Sequence, residues 1–326
     1  MFLTRSIPRL LKNSTTTVNG FTWQNFCAEA LNASMVSTVR TVKDKWISRF
    51  QTENIPEADA SITNILAHVL QVQSLSDVKE CQETKLDEAQ LAKIDELCEC
   101  RLARMPIQYI IREWEFRDLT LKMVPPVFIP RPETEELIEL ILQQIDAQQE
   151  LQFLEIGCGT GAITLSILKH APWASAVALD QSKLACELTL ENAKRHGLSE
   201  NLRIFRHKLA DKLPTELDSH KYDMIVSNPP YVPSEQMATL EPEIKIYEDL
   251  RALDGGPDGL TVVKAILDIA GKHLKSAGVL WLEVDSSHPP LIKQYLEEMA
   301  TQLGLKYMSS YKDMFRKERF VEIMKV

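Results

Sequence analysis

The sequence contains no C-x-x-C pair. Its six cysteines, Cys27, Cys81, Cys98, Cys100, Cys158 and Cys186, follow no regular spacing, which excludes a disulfide framework and reads as free thiols in a reducing compartment. Cys98 and Cys100 have no histidine or further cysteine close by to complete a tetrahedral set, so no metal is expected. Long apolar runs are missing too: stretches such as Ile138 to Leu142 are broken by charge within a few positions, which excludes a membrane-crossing helix. Basic charge is in short supply, 37 Lys and Arg against 46 Asp and Glu for a net charge of -9. The chain as a whole therefore lacks the field that gives nucleic-acid binders most of their affinity. Acidic residues are absent only at the start, where the first is Glu29 while Arg5, Arg9 and Lys12 sit among Ser, Thr and apolar residues. A basic segment without carboxylates is the pattern of a mitochondrial presequence, assigned to residues 1–20. Pro8 weakens the helix such a segment forms, and the alternatives are an unstructured tail and a cytoplasmic protein.

The 326 residues, with ordinary apolar and charged fractions, suffice for two globular domains. Repeats and low-complexity tracts are absent. From about Phe21 to Met105 the pattern is helical: Ile62, Ile65, Leu66, Val69 and Leu70 recur at three- and four-residue spacing, and Ile94, Leu97, Cys98 and Leu102 repeat the stripe before Pro106 ends it. Both stripes read as the core of a small bundle. At Tyr109 to Phe128 the texture changes to Phe116, Leu119, Leu121 and Met123 among polar residues, with Arg117-Asp118 as a turn, which predicts a β-hairpin connector. The expected organisation is thus a helical domain over 21–105, a connector over 106–126 and a catalytic domain over 127–326. Beyond Pro132, strands expected at Gln152 to Ile156, Ala176 to Leu179, Arg203 to Arg206, Met224 to Ser227 and Gly278 to Val284 alternate with helical patterns. That is the βαβ rhythm of an α/β, Rossmann-like parallel sheet.

One segment, Gln152-Phe-Leu-Glu-Ile-Gly-Cys-Gly-Thr-Gly-Ala-Ile, runs from a buried strand through Gly157, Cys158, Gly159, Thr160 and Gly161 into a helix. Glycines there let the backbone turn sharply and come close to a ligand at the carboxyl end of the strand. The third glycine arrives one position earlier than in the dinucleotide fingerprint G-x-G-x-x-G, whose NAD reading is the main competitor. Two carboxylates weigh against it. Glu155 beside the loop suits the amino end of the cationic cofactor S-adenosylmethionine and would repel a pyrophosphate; its alternative is a helix cap or a salt bridge. Asp180 closes the next strand and can accept from both ribose hydroxyls, a role it would also serve for NAD.

After a later strand comes Tyr222-Asp-Met-Ile-Val-Ser-Asn-Pro-Pro-Tyr. Asn228, Pro229, Pro230 and Tyr231 form a stiff exit, because each proline fixes its own φ and restricts the residue before it. Stiffness suits a planar NH2 acceptor, a poor nucleophile whose lone pair is delocalised, so that catalysis rests on placement. The Asn228 side-chain oxygen and the Pro229 carbonyl can each accept one proton of such a group, and Tyr231 offers it an aromatic face. Asn228 thereby borders the cofactor as well as the acceptor. A proline-stiffened turn without chemistry is the bland alternative.

With both motifs in hand, the chain resembles the HemK/PrmC family of peptide chain release factor N5-glutamine methyltransferases. The resemblance runs from about Ile62 to the C-terminus. It includes Pro106-Ile-Gln-Tyr-Ile with Trp114-Glu-Phe, Ile129-Pro-Arg-Pro-Glu-Thr-Glu, and Leu253-Asp-Gly-Gly-Pro-Asp-Gly-Leu, which adenine-N6 methyltransferases sharing the Asn-Pro-Pro-Tyr tetrad lack. It implies a seven-stranded class I S-adenosylmethionine-dependent fold, a helical domain that grips the release factor, and methylation of the glutamine in a Gly-Gly-Gln motif. The cofactor role falls on Gly157 through Gly161 and Asp180, the acceptor role on Asn228 through Tyr231. The presequence points to a mitochondrial release factor as the protein partner, with no direct nucleic-acid contact. Three positions depart from the family. Arg112 and Phe315 stand where glycine is frequent, and Lys212 follows Asp211 where an apolar or aromatic residue usually walls the adenine; Asp211 could still accept from the adenine amine. The competing readings are N6-adenine methylation of DNA or RNA, which calls for a basic groove or an added domain to extrude a base, and a silent cofactor-binding partner of the translation machinery.

Overall fold

A computed structural model describes residues 37–72, 74–146, 149–209 and 214–326. The segment assigned as a presequence, residues 21–36, and both Asp211 and Lys212 lie outside these. The first described region is a cluster of helices at Val39–Thr52, Ala58–Leu70, Leu75–Glu80 and Glu88–Leu102. Thr38, Ser74 and Asp87 each start a helix with a reciprocal capping box, satisfying amide groups that would otherwise lack partners, at about 1 kcal/mol per cap. Ile62, Ile65 and Leu66 meet Ile94, Leu97 and Cys98 in one core with Trp46 and Phe50. The two stripes read from spacing are the facing surfaces of this core, with Val69, Leu70 and Leu102 at its margin.

The connector is a short helix, Ile107–Ile111, followed by an antiparallel hairpin of β1 (Glu113–Phe116) and β2 (Leu119–Lys122). Arg117 turns it at a φ of 52°, and Arg112 enters it at 62°. Both lie in the left-handed region, which is where glycine is favoured and where the resemblance places glycine for Arg112.

Seven further strands form one sheet: β3 (Gln152–Ile156), β4 (Ser175–Asp180), β5 (Leu202–Arg206), β6 (Tyr222–Ser227), β7 (Leu274–Glu283), β8 (Leu305–Lys312) and β9 (Glu318–Lys325). Their order is β5-β4-β3-β6-β7-β9-β8. The first five pair in parallel as the βαβ rhythm predicts, but β9 is antiparallel to both β7 and β8. This closing hairpin gives the otherwise parallel sheet an antiparallel edge and completes the seven strands that the resemblance implies. Strand β7 also begins at Leu274, earlier than expected, with a register irregularity opposite Tyr222 and Met224.

Both faces of the sheet are covered. Helices Pro132–Gln144 and Ala162–His170 pack with the connector on one face, and Thr261–His273 and His288–Glu298 on the other. The chain runs outward from β3 to β5 and then crosses back to place β6 on the other side of β3. Open α/β sheets bind ligands at the carboxyl ends of strands flanking such a reversal. The glycine loop leaves β3 and Asn228 leaves β6, so the two motifs, far apart in sequence, are neighbours here. Ser227 seals the junction by donating to the Ile156 carbonyl at 2.6 Å.

The helical cluster is tied to the sheet region near the acceptor loop. Buried Arg101 donates to Glu243 at 3.2 Å and to the Ser61 hydroxyl at 3.2 Å, and Tyr247 donates to the Ala103 carbonyl at 2.7 Å. Glu243 and Tyr247 both belong to Pro242–Tyr247, a helix just downstream of the Asn-Pro-Pro-Tyr tetrad.

Candidate active site

A cavity of about 490 Å³ opens at the reversal point, within the size range of cofactor pockets. Gly157 and Gly159 line it, together with Asp180, Asn228, Pro229 and Pro230. Gly157 and Gly159 have φ of 82° and 55°. A side chain on Gly159 would meet nothing within 4 Å, so its absence leaves bare backbone facing open space. Gly161, with φ of 86°, lies behind the loop, where an added Cβ would come within 3.0 Å of both Leu165 and Thr189. Cys158 and Thr160 also point inward. The Cys158 thiol accepts from the Thr189 hydroxyl at 3.3 Å, and the Thr160 carbonyl accepts from the fully buried Asn192 side chain at 2.9 Å. Asn192 also accepts from the Lys122 amide at 2.7 Å, joining the hairpin connector to the cofactor loop. These three loop residues shape the cradle from behind.

Asp180 sits at the end of β4 with both oxygens engaged, accepting from the Gly159 amide at 3.0 Å and from the Ser182 amide at 2.8 Å. Burial raises its pKa, while those two hydrogen bonds pull it the other way. Each oxygen keeps a lone pair, so the carboxylate can hold the loop and still accept from vicinal hydroxyls. Glu155 differs from its expected role. Its carboxyl is 1% exposed, does not line the cavity, and accepts from the Thr164 amide at 3.0 Å and from the Thr164 hydroxyl. It caps helix Ala162–His170 from the end of β3. Burial pushes it up to about 8, against the Thr164 hydrogen bonds that lower it.

A second, smaller recess of about 20 Å³ adjoins the cavity and is lined by Phe128, Asn228, Pro229, Tyr231 and their neighbours. Phe128, Asn228 and Pro229 border both spaces. The Asn228 amide is oriented by residues that sequence reading did not assign to the site. Its Nδ2 donates to the Thr134 hydroxyl at 3.2 Å, and Thr134 donates in turn to Glu283 at 2.7 Å. With the Thr134 proton given to a carboxyl, its lone pair is reserved for Asn228, which leaves the Asn228 Oδ1 as the free acceptor. Glu283 is 1% exposed; burial pushes it up to about 7, against the Thr134 hydrogen bond and the Arg319 charge. Tyr231 has its phenol pKa raised by burial and by nearby Glu283, so it stays protonated.

Behind the tetrad lies the 253–260 segment. Val232 donates to the Leu253 carbonyl at 2.9 Å, and Gly255 donates back to Val232 at 2.8 Å. A Cβ on Gly255 would sit 2.8 Å from the Tyr231 Cα, and one on Gly259 would strike the Tyr231 carbonyl and come within 2.9 Å of the His288 ring. The glycines there exist to let two backbones touch. Asp249 and Arg251, also missed from sequence, flank the cavity mouth as a paired fork with contacts of 2.6 and 2.9 Å. Thr134 lay within the Ile129-Pro-Arg-Pro-Glu-Thr-Glu segment, so a signal for it was present. Glu283, at the end of an apolar strand, carried the ordinary signal of a buried polar residue needing a partner, visible only once burial is known.

Comparison with known proteins matches the PrmC N-terminal domain to residues 42–111 and the methyltransferase small domain to 120–244. The MTRF1L release factor glutamine methyltransferase of Homo sapiens is 40% identical over 89% of this chain and 88% of its own. The chain belongs to the release factor glutamine methyltransferase family. Members from Streptococcus pneumoniae and Thermodesulfovibrio yellowstonii are 34% and 32% identical, over 85% and 83% of this chain and 96% and 93% of theirs. The chain is therefore a methyltransferase, and its methyl donor is S-adenosylmethionine. The residues at the cavity fit that donor: two glycines presenting backbone, a carboxylate closing β4, and an apolar wall that includes Leu179, Leu209 and Ile266.

Proposed function

We propose that this enzyme methylates the side-chain amide nitrogen of the glutamine in the Gly-Gly-Gln motif of a peptide chain release factor, and that it does so in mitochondria. The observation that carries the reading is the shared wall. Asn228 and Pro229 form part of the wall of the cofactor cavity, so a group held by those residues lies beside the donor. Bound S-adenosylmethionine supplies an electrophilic methyl on a positively charged sulfur. The rest falls to the protein. Asn228 Oδ1, kept outward by Thr134 and Glu283, accepts one amide proton, and the Pro229 carbonyl accepts the other. Two acceptors on the two N–H groups fix the plane of the acceptor and favour a more pyramidal nitrogen, which is a placement effect of the kind that replaces a bimolecular encounter. Tyr231 stacks on the flat carboxamide, and the packing of 253–260 beneath it holds the tetrad still.

In this reading residues 21–105 recognise the release factor, 106–126 connect, and 127–326 carry the chemistry. The ties from Arg101 and Ala103 to helix Pro242–Tyr247 support it, since they fix the helical cluster relative to the acceptor loop. The basic, carboxylate-free start of the sequence supports the mitochondrial assignment, and among the described residues no helix is long and apolar enough to cross a membrane. The test is to incubate the protein with labelled S-adenosylmethionine and purified mitochondrial and cytosolic release factors, and to map the product by mass spectrometry. One methyl on the Gly-Gly-Gln glutamine of the mitochondrial factor is expected. Label on adenine in DNA or RNA, with none on either factor, would overturn the reading.

A further inference from the structure

We propose that the turn joining β8 to β9, residues 313–317, is a preformed docking element for the protein that carries the acceptor glutamine, with Met314 and Phe315 as its apolar contacts. The proposal rests on the function above and adds the surface by which the substrate protein is held. The turn is ordered with unusual thoroughness for an exposed tip. Asp313 is buried, and its carboxylate accepts from the Phe315 amide, the Lys317 amide and Arg319 Nε, each at 2.9 Å. The Met314 amide donates to Glu136 at 3.1 Å, and the Arg316 amide donates to the Asp313 carbonyl at 2.8 Å. Every amide from 313 to 317 thus has a partner, since that of Asp313 donates to the Lys317 carbonyl at 2.9 Å. Yet Met314 and Phe315 are 60% and 63% exposed. A fixed backbone that buries neither apolar side chain within its own chain is arranged for a contact made elsewhere, because preorganisation lowers the entropy lost on association.

Register places the tip at the same end of the sheet as the acceptor site. Ser227 pairs with Leu282 and Glu283 with Phe320, while the Val284 amide donates to the Arg319 carbonyl. Asn228 is therefore level with the base of the turn, and residues 313–317 project past it on the same edge of the sheet. Arg319, which holds Asp313, also bears electrostatically on Tyr231 and Glu283. A glutamine within a folded protein reaches Asn228 only when the surface beside its loop comes against this rim. Exposed Arg316 and Lys317 follow the apolar pair, so the matching surface is apolar with an acidic neighbour on that side.

The test compares an intact release factor with a short synthetic peptide containing its Gly-Gly-Gln motif, using the full-length enzyme. For Met314→Ser/Phe315→Ser, KM for the intact factor should rise about tenfold or more, as loss of an apolar anchor does, with kcat and the peptide KM unchanged. Phe315→Leu should restore most of the loss. Unaltered KM for the intact factor, or an equal loss on factor and peptide, would overturn the docking role, as would a self-associated wild type that the double variant disperses. Wild-type enzyme inactive on both substrates would instead overturn the function and this proposal with it.

Discussion

The two halves of the active site are built on different principles. The cofactor half is mostly backbone: Gly157 and Gly159 expose main chain, and the Asp180 carboxylate holds the amides of Gly159 and Ser182. The acceptor half depends on a side-chain relay spanning three distant elements, from Asn228 after β6 through Thr134 on helix Pro132–Gln144 to Glu283 at the end of β7. A binding site for a constant cofactor can be carried in one contiguous motif. A site that must hold one amide nitrogen in one orientation is assembled from many parts of the chain, since no single loop supplies both an acceptor atom and the means of fixing it.

Substitutions can break that contrast. Asn228→Ala removes the acceptor atom and should lower kcat by about 10²- to 10³-fold, the scale seen on deleting one preorganised polar group, with cofactor affinity within a few fold by titration calorimetry. Asp180→Ala should do the reverse, weakening S-adenosylmethionine by about 10- to 100-fold, as expected for lost hydrogen bonds to a charged group. Thr134→Val should lower kcat about tenfold, near 1.4 kcal/mol of barrier, while Thr134→Ser keeps the hydroxyl and the rate. Glu283, pushed up to about 7 by burial, adds a pH signature. Once protonated it can donate to Thr134 and so compete for the lone pair that orients Asn228. The wild-type rate should therefore rise through a step near that pH, and Glu283→Gln should remove the step.

Smaller effects belong to the scaffold. Gly161→Ala would force a Cβ to within 3.0 Å of Leu165 and Thr189 at a φ of 86°. Overpacking of that kind costs about 1–3 kcal/mol, to be read as a lower melting temperature. Glu155 offers the mildest test. Its pKa rises from 4.5 to about 8 in the folded protein, so its contribution to stability is complete below 4.5 and is lost as pH rises through 8. Relative to Glu155→Gln, the wild type should lose melting temperature between pH 5 and pH 8; parallel curves would show that the carboxyl is already ionised in the fold.

What could be read in advance follows the same division. Helix Glu88–Leu102 and strand β3 were legible because their apolar spacing is local and repeats at the period of the element. The closing β8–β9 hairpin was not, because Leu305-Lys-Tyr-Met-Ser-Ser-Tyr-Lys alternates weakly, and it is the later strand β9, not β8, that joins the hairpin to β7. Glu155 illustrates the other kind of miss: its position beside the glycine loop was plain, but which way its carboxyl turns depended on Thr164 across the loop.

The sequence by itself determined the candidate site residues, since a glycine-rich turn, a strand-ending carboxylate and an Asn-Pro-Pro-Tyr exit are local patterns legible in residue type and spacing. Only the tertiary structure decided how Asn228 is aimed and what lies behind Tyr231, because each is set by contacts between residues about 25 to 150 positions apart. Such contacts exist only after the sheet has brought the ends of β3, β6 and β7 to one edge.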